Sequence, residues 1–179
     1  MNCTGMSTGM NGQEPRTIYD SFSKILSISD ERVHIKINSI DYNRSVSDGP
    51  GIRTVVYLQG CTHYCDGCHN VTTWDSDLGK NYDIQEIAQE LKKNSYNNKI
   101  TISGGEPLFQ KDAVIALVKE LKDCDLCLYT GSNLDEVPEE ILPYLHYIKV
   151  GKYKKELRCT TIPFIGSSNQ TFINLKEGQ

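Results

Sequence analysis

Cys61, Cys65 and Cys68 place three thiols within eight residues of one another, spaced C-x3-C-x2-C in the segment Gly60-Cys61-Thr62-His63-Tyr64-Cys65-Asp66-Gly67-Cys68-His69-Asn70. Thiolates are soft ligands, and a loop that curls round a metal with them selects zinc, copper(I) or an iron–sulfur cluster. A structural zinc site takes four protein ligands, usually as pairs about two to four residues apart. The fourth would have to be His63, His69 or the distant pair Cys124 and Cys127. Three thiolates on a four-iron cluster instead leave one iron open to a substrate. Spacing alone leaves zinc and the cluster both standing.

The rest of the composition narrows the setting. Seven cysteines are an odd number, and no secretory pattern opens the chain, so a disulfide framework is not expected and a reducing cytoplasm is. The formal net charge of −4 and the absence of a Lys/Arg cluster exclude a nucleic-acid surface. No apolar run approaches the roughly 18 residues of a membrane span. Cys124 and Cys127 share the x2 spacing, but a strand crossing them turns their side chains to opposite faces, so they read as core or surface thiols.

Elements must hold the cysteine loop. Residues 1–32 read as an N-terminal extension. Its first part is a Gly/Ser/Thr/Asn/Met-rich tail, and Ile18, Phe22, Ile25 and Leu26 then give the spacing of one short amphipathic helix. Residues 33–179 form the expected domain. Residues 33–40 and 53–58 read as strands, residues 99–103 as a short strand ending in Gly-Gly, and residues 126–129, 146–150 and 172–175 as further strands. Ile84, Ile87, Ala88 and Leu91 make one helical stripe; Val114, Leu117, Val118 and Leu121 make another. Pro138 with Glu139 and Glu140 reads as the first turn of a third helix, the carboxylates sitting at the positive end of its dipole. Strands alternating with helices indicate an α/β fold with a mostly parallel sheet. The units are too few for a closed eight-stranded barrel, so an open partial (β/α) barrel is expected. Ligands gather at the carboxyl ends of such strands. The cysteine loop and Gly104-Gly105-Glu106 both follow strands, and so fall on one rim.

These motifs together resemble the radical S-adenosylmethionine superfamily: C-x3-C-x2-C after the first strands, then a strand ending in Gly-Gly-Glu. Ser47-Asp48-Gly49-Pro50-Gly51-Ile52-Arg53 before the loop, and Cys68-His69-Asn70 with Trp74 after it, resemble the glycyl-radical-enzyme activases. Gly67 before the third cysteine and Gly166-Ser167-Ser168-Asn169-Gln170 near the end are similar to the activating proteins of anaerobic ribonucleotide reductases. The resemblance covers roughly residues 37–175. It implies a [4Fe–4S] cluster on Cys61, Cys65 and Cys68, with S-adenosylmethionine on the open iron. An electron from a reduced flavodoxin or ferredoxin would split that ligand to a 5′-deoxyadenosyl radical. The radical would take a hydrogen atom from a glycine of the partner, an anaerobic ribonucleotide reductase.

The same resemblance assigns Gly104, Gly105 and Glu106 to the methionine amino group. It sets Gly67, Cys68 and His69 against the nucleoside and Thr130 near the ribose or methionine carboxylate. The 48–51 turn would face the incoming glycyl segment, with Arg53 near the site. His63 reads as a solvated loop residue, and Trp74 as either a wall of the partner groove or packing. Val150 stands where members of the family often carry an acid. Two other readings are a pyruvate formate-lyase type of activase and, from another class, a zinc-binding interaction module without catalysis.

Overall fold

The computed structural model describes Met1 and residues 32–177; Cys3 and the helix expected over residues 18–26 lie outside the described residues. Arg32–Gln179 make up one compact unit. Seven strands form a single sheet: β1 (His34–Ser45), β2 (Arg53–Leu58), β3 (Lys80–Asp83), β4 (Lys99–Gly104), β5 (Asp125–Tyr129), β6 (Leu145–Val150) and β7 (Thr171–Asn174). Their order is β3-β1-β2-β4-β5-β6-β7. The central pairs β2–β4, β4–β5 and β5–β6 are parallel, whereas β1 pairs antiparallel with β2 and β3, and β7 pairs antiparallel with β6. Among the described residues the sheet ends at β3 on one side and β7 on the other, and is open. The expected parallel core is present; the antiparallel margins add the short strand β3, whose Lys-Asn-Tyr-Asp sequence carries no strand pattern of its own.

Period-two alternation decides what each face of this sheet meets. Val56, Leu58, Ile100, Ile102, Leu126, Leu128, Ile148 and Val150 point to one side, where they join one apolar core with the buried stripes of the two helices. These are α1 (Ile84–Asn94) and α2 (Lys111–Glu120). The α1 stripe is the one expected, and Asp83 caps the helix, its carboxylate accepting from the N–H groups of Gln85 and Glu86. The opposite face carries Arg53, Thr101, Ser103, Cys127, Tyr129, Tyr147 and Lys149, with Val55 the one aliphatic side chain buried among them. A central parallel strand normally buries apolar side chains on both faces. Polar residues on the second face therefore mark it as the lining of a cavity.

Two expectations change. The segment after Pro138 is a 3₁₀ helix, Glu139–Tyr144, with Pro143 inside it; a proline there lacks the N–H that an α-helix needs. Arg53 lies at the amino end of β2, away from the cysteine loop. Its guanidinium is fully buried there, donating to Thr101, to the carbonyls of Pro50, Ile100 and Asp125, and to the Asp125 carboxylate. It braces the strand starts. Cys124 and Cys127 are buried free thiols, as expected of core residues.

Candidate cluster and cofactor site

The cysteine loop begins where β2 ends and is closed at its base. Gly60 N–H donates to the Thr73 carbonyl at 2.7 Å and Cys61 N–H to that of Trp74 at 3.1 Å. Gln59, itself buried, donates its amide to the carbonyls of Thr72 and Asp75. Within the loop Tyr64 and Gly67 take positive φ values of 45° and 69°, and Cys68 N–H returns to the Cys65 carbonyl. The chain thus doubles back on itself, as three thiols facing one centre require.

All three thiols are free and line the same cavity. The Asn70 N–H donates to the Cys68 sulfur at 3.3 Å, and the backbone N–H groups of His63 and Tyr64 near Cys61 and of Tyr153 near Cys65 favour the negative sulfur against burial. Burial pushes the Cys61 and Cys65 thiols above their ordinary values. They therefore become thiolates on metal binding, and the N–H groups then stabilise the negative sulfurs. Among the described residues no three Cys, His, Asp or Glu side chains are gathered for a single metal ion. Three thiolates can each serve one iron of a polynuclear centre. The donor set fits a cluster held by three thiolates.

The opposing wall is the end of β4. Gly104 has φ 112°, and a Cβ there would stand 2.2 Å from the Leu58 nitrogen; one on Gly105 would stand 2.2 Å from the Gly60 carbonyl oxygen. Both glycines let β4 run directly against the base of the cysteine loop, where Gly105 N–H donates to Leu58 and Glu106 N–H to Gly60. The Glu106 carboxylate, 4% exposed, accepts from Thr130 Oγ1 at 2.6 Å and Leu108 N–H at 2.9 Å on one oxygen. The other oxygen accepts from Gly131 N–H at 2.7 Å and His63 Nε2 at 3.1 Å. Burial raises the Glu106 pKa, but the hydrogen bonds from His63, Thr130, Leu108 and Gly131 outweigh it and hold the carboxyl below its usual range. His63 is accordingly no solvated loop residue. The loop folds it back onto Glu106, whose hydrogen bond raises its pKa.

The third wall joins β6 to the C-terminal segment. Gln170 accepts from the N–H groups of Gly166 and Ser167 and donates to the Gly151 carbonyl; Asn169 donates to Lys152. The Gly166–Gln170 motif thereby fixes Gly151 and Lys152, next to Tyr153, whose backbone N–H lies near Cys65. Lys149, on the cavity face of β6, lies with its Nζ 4.1 Å from the centre of the Tyr129 ring. Burial lowers its pKa, against the attraction of Asp48, Cys127, Glu106 and Cys68.

Of the residues expected at the site, Cys61, Cys65, Cys68, His69, Gly104, Gly105, Glu106 and Thr130 line this one cavity. Gly67 is not part of that lining: it is exposed and faces the Lys155 side chain. Trp74 lines the cavity and also packs edge-on against Tyr64. Sequence reasoning missed Lys149 and Tyr153 as lining residues. The signal for the first is the polar alternation on β6; Tyr153 has none.

The chain is similar to known proteins over most of its length. The model of a 4Fe-4S single cluster domain matches residues 47–173. The chain is 33% identical to an anaerobic ribonucleoside-triphosphate reductase-activating protein of Enterobacteria phage T4, over 73% of this chain and 89% of that one. It is 32% identical to the protein so named in Vibrio cholerae, over 72% and 92%, and 29% identical to that of Escherichia coli K12, over 75% and 96%. Among solved structures, QueE from Escherichia coli superposes with a TM-score of 0.49 and 17% identity, over 64% of this chain and 69% of that one.

Proposed function

The chain belongs to the family of anaerobic ribonucleoside-triphosphate reductase-activating proteins, and from that membership we propose that it installs the glycyl radical of an anaerobic ribonucleotide reductase. The observation that carries this reading is the cavity itself. It joins three free, N–H-supported thiols to a Gly-Gly-Glu strand end within a 4Fe-4S single-cluster domain. Spacing alone left zinc open; the family match favours iron and sulfur.

Cys61, Cys65 and Cys68 would hold a [4Fe–4S] cluster, with S-adenosylmethionine beside it. Bound there and reduced by one electron, the cluster would supply the chemistry that splits the sulfonium for removal of a hydrogen atom from the partner's glycine. The chain's own residues bind, orient and exclude. Gly104 and Gly105 bring backbone to the ligand without side chains in the way. Glu106 is the fixed anion towards which the methionine ammonium is drawn, and Thr130 keeps that carboxylate in place. His69 walls the nucleoside side, and Trp74 and Tyr153 shield the thiolates from water. A reduced flavodoxin or ferredoxin supplies the electron. His69, Tyr129 and Lys149 also line a second cavity, bounded by residues 46–48 and 158–166, through which the glycyl segment would approach.

The test is anaerobic incubation of the reconstituted protein with S-adenosylmethionine, a reductant and either an anaerobic ribonucleotide reductase or a pyruvate formate-lyase, read by electron paramagnetic resonance. A glycyl doublet on the ribonucleotide reductase is expected. A doublet on the lyase alone would transfer the activity to the other class of partner.

A further inference from the structure

The net charge of −4 conceals a local excess of the opposite sign that sequence reasoning passed over. Lys152, Lys154, Lys155 and Arg158 fall within seven residues, with Glu156 the one acid among them, and all four cations are exposed. The segment is held against the Gly166–Gln170 motif: Asn169 donates to the Lys152 carbonyl, Lys154 N–H to Ser167 Oγ, and Ser168 N–H to the Leu157 carbonyl. Among the described residues the ammonium groups of Lys152 and Lys154 make no ion pair. Lys155 reaches the exposed Asp66 at 3.3 Å, and a pair so open to water neutralises little. The strip borders the thinnest cover over the thiols. Asp66 and Gly67, both exposed, lie between Cys65 and Cys68, which are half-buried, whereas Cys61 is buried. The Lys155 side chain lies against Gly67, and the charge of Lys152 is felt at Cys65 and at His63. Lys152, Lys154 and Lys155 line neither the cavity of the thiols nor the second cavity, through which the glycyl segment would approach.

We propose that Lys152, Lys154 and Lys155 form the docking edge for an acidic electron-carrier protein, which delivers its electron across the 65–68 stretch of the loop; the proposal rests on the cluster reading above. Charge selects the occupant. A cationic strip on an acidic chain attracts a partner whose own surface is negative around its redox group, and such rim charges raise the rate of encounter. Asp66 and Glu156 interrupt the strip: a uniformly charged phosphate backbone meets them as repulsion, whereas a folded protein can set its own charges around them. Place selects the role. The carrier's redox group comes nearest the three thiols where one exposed turn is all that covers them, and the cavity side is left to the ligand and the glycyl segment. One electron passes from the carrier to the cluster; the carrier is oxidised, the cluster reduced, and no bond forms or breaks. Exposed, hydrated and lightly paired lysines suit a contact that forms and parts in each cycle.

The test uses the anaerobically reconstituted holoprotein, with reduced flavodoxin as the probe. Two quantities are followed against ionic strength: the dissociation constant of the flavodoxin complex, by calorimetry, and the rate of cluster reduction, by stopped-flow absorbance. Combining Lys152→Gln, Lys154→Gln and Lys155→Gln is expected to weaken binding and slow reduction about tenfold or more at low salt, and to flatten the salt dependence of both. Arginine at the same three positions should keep wild-type behaviour. Photoreduced deazaflavin, a small donor that needs no docking edge, should reduce the cluster equally fast in all three proteins. A glutamine variant with wild-type affinity, rate and salt dependence would overturn the proposal, as would a wild type that deazaflavin reduces and flavodoxin neither binds nor reduces. So would a variant that takes electrons from flavodoxin normally yet loses affinity for the ribonucleotide reductase, since the strip would then belong to that partner. Iron content per chain checks the variants' integrity; if the triple variant loses its cluster, Lys154→Gln and the salt titration of wild type carry the comparison. A wild-type protein that reconstitutes no cluster would instead overturn the reading beneath.

Discussion

Glu106 ties the cysteine loop, the end of β4 and the end of β5 together through one carboxylate with four donors. A carboxylate offers about four acceptor positions, and these four donors occupy them, so Glu106 would draw the methionine ammonium by its charge and not through a spare lone pair. Glu106→Gln sets an amide N–H against a donor, and at neutral pH should destabilise the fold by about 2–4 kcal/mol, measurable as a lower urea midpoint. The sign of its pH dependence follows from the lowered pKa. Stability from Glu106 is fully present above the unfolded value of 4.5 and is lost as pH falls through the folded value below it. The gap between wild type and Glu106→Gln should be constant near neutrality and shrink on acidification below that value; a gap that widened there would contradict the assignment. At this scale the sequence was legible where a residue type names its own chemistry. Three cysteines at fixed spacing named a soft-metal site, with zinc and a cluster both standing. His63 and Lys149 were opaque, because what defines them is a partner far along the chain or the lack of one.

Among the elements, the end of β4 shows how a glycine serves two ends. Read as sequence, Gly104 and Gly105 promise close approach to a ligand; in the fold they also permit close approach to Leu58 and Gly60. Gly104→Ala combines a positive φ with a backbone collision that no rotamer relieves, and should cost roughly 3–5 kcal/mol or prevent folding. Loss of cooperative thermal unfolding, or a markedly lower midpoint, is the expected reading. A variant as stable as wild type would mean that β4 does not abut the loop as described. The parallel core and both helix stripes were legible, since hydrophobic periodicity reports burial directly. β3 was not: it is a strand because β1 offers it an edge, with Ile35 opposite Tyr82 and Ile37 opposite Lys80. The 3₁₀ segment after Pro138 was missed because Pro143 acts five residues beyond the start signal. Arg53 was placed near the site on resemblance, yet its position at the strand's first residue already assigned it to the far edge.

Over the whole molecule, the match to a 4Fe-4S single cluster domain lies entirely within residues 47–173. A protein beginning at Arg32 should therefore bind the same iron and sulfide per chain as the full chain and cleave S-adenosylmethionine at a comparable rate; loss of the cluster on removing residues 1–31 would make that extension part of the domain. Among the described residues no helix is long and apolar enough to cross a membrane. The family and its cluster rest on motif and relatives together, and the cavity explains why the motifs stand so far apart in the chain. The most direct test is reductive cleavage of S-adenosylmethionine by the anaerobically reconstituted protein with dithionite, counted as 5′-deoxyadenosine per cluster in wild type and Cys65→Ala. Steady 5′-deoxyadenosine formation by wild type and none by the variant, with its iron lost, is the result predicted. A colourless wild-type protein holding stoichiometric zinc and producing no 5′-deoxyadenosine after reconstitution would contradict it.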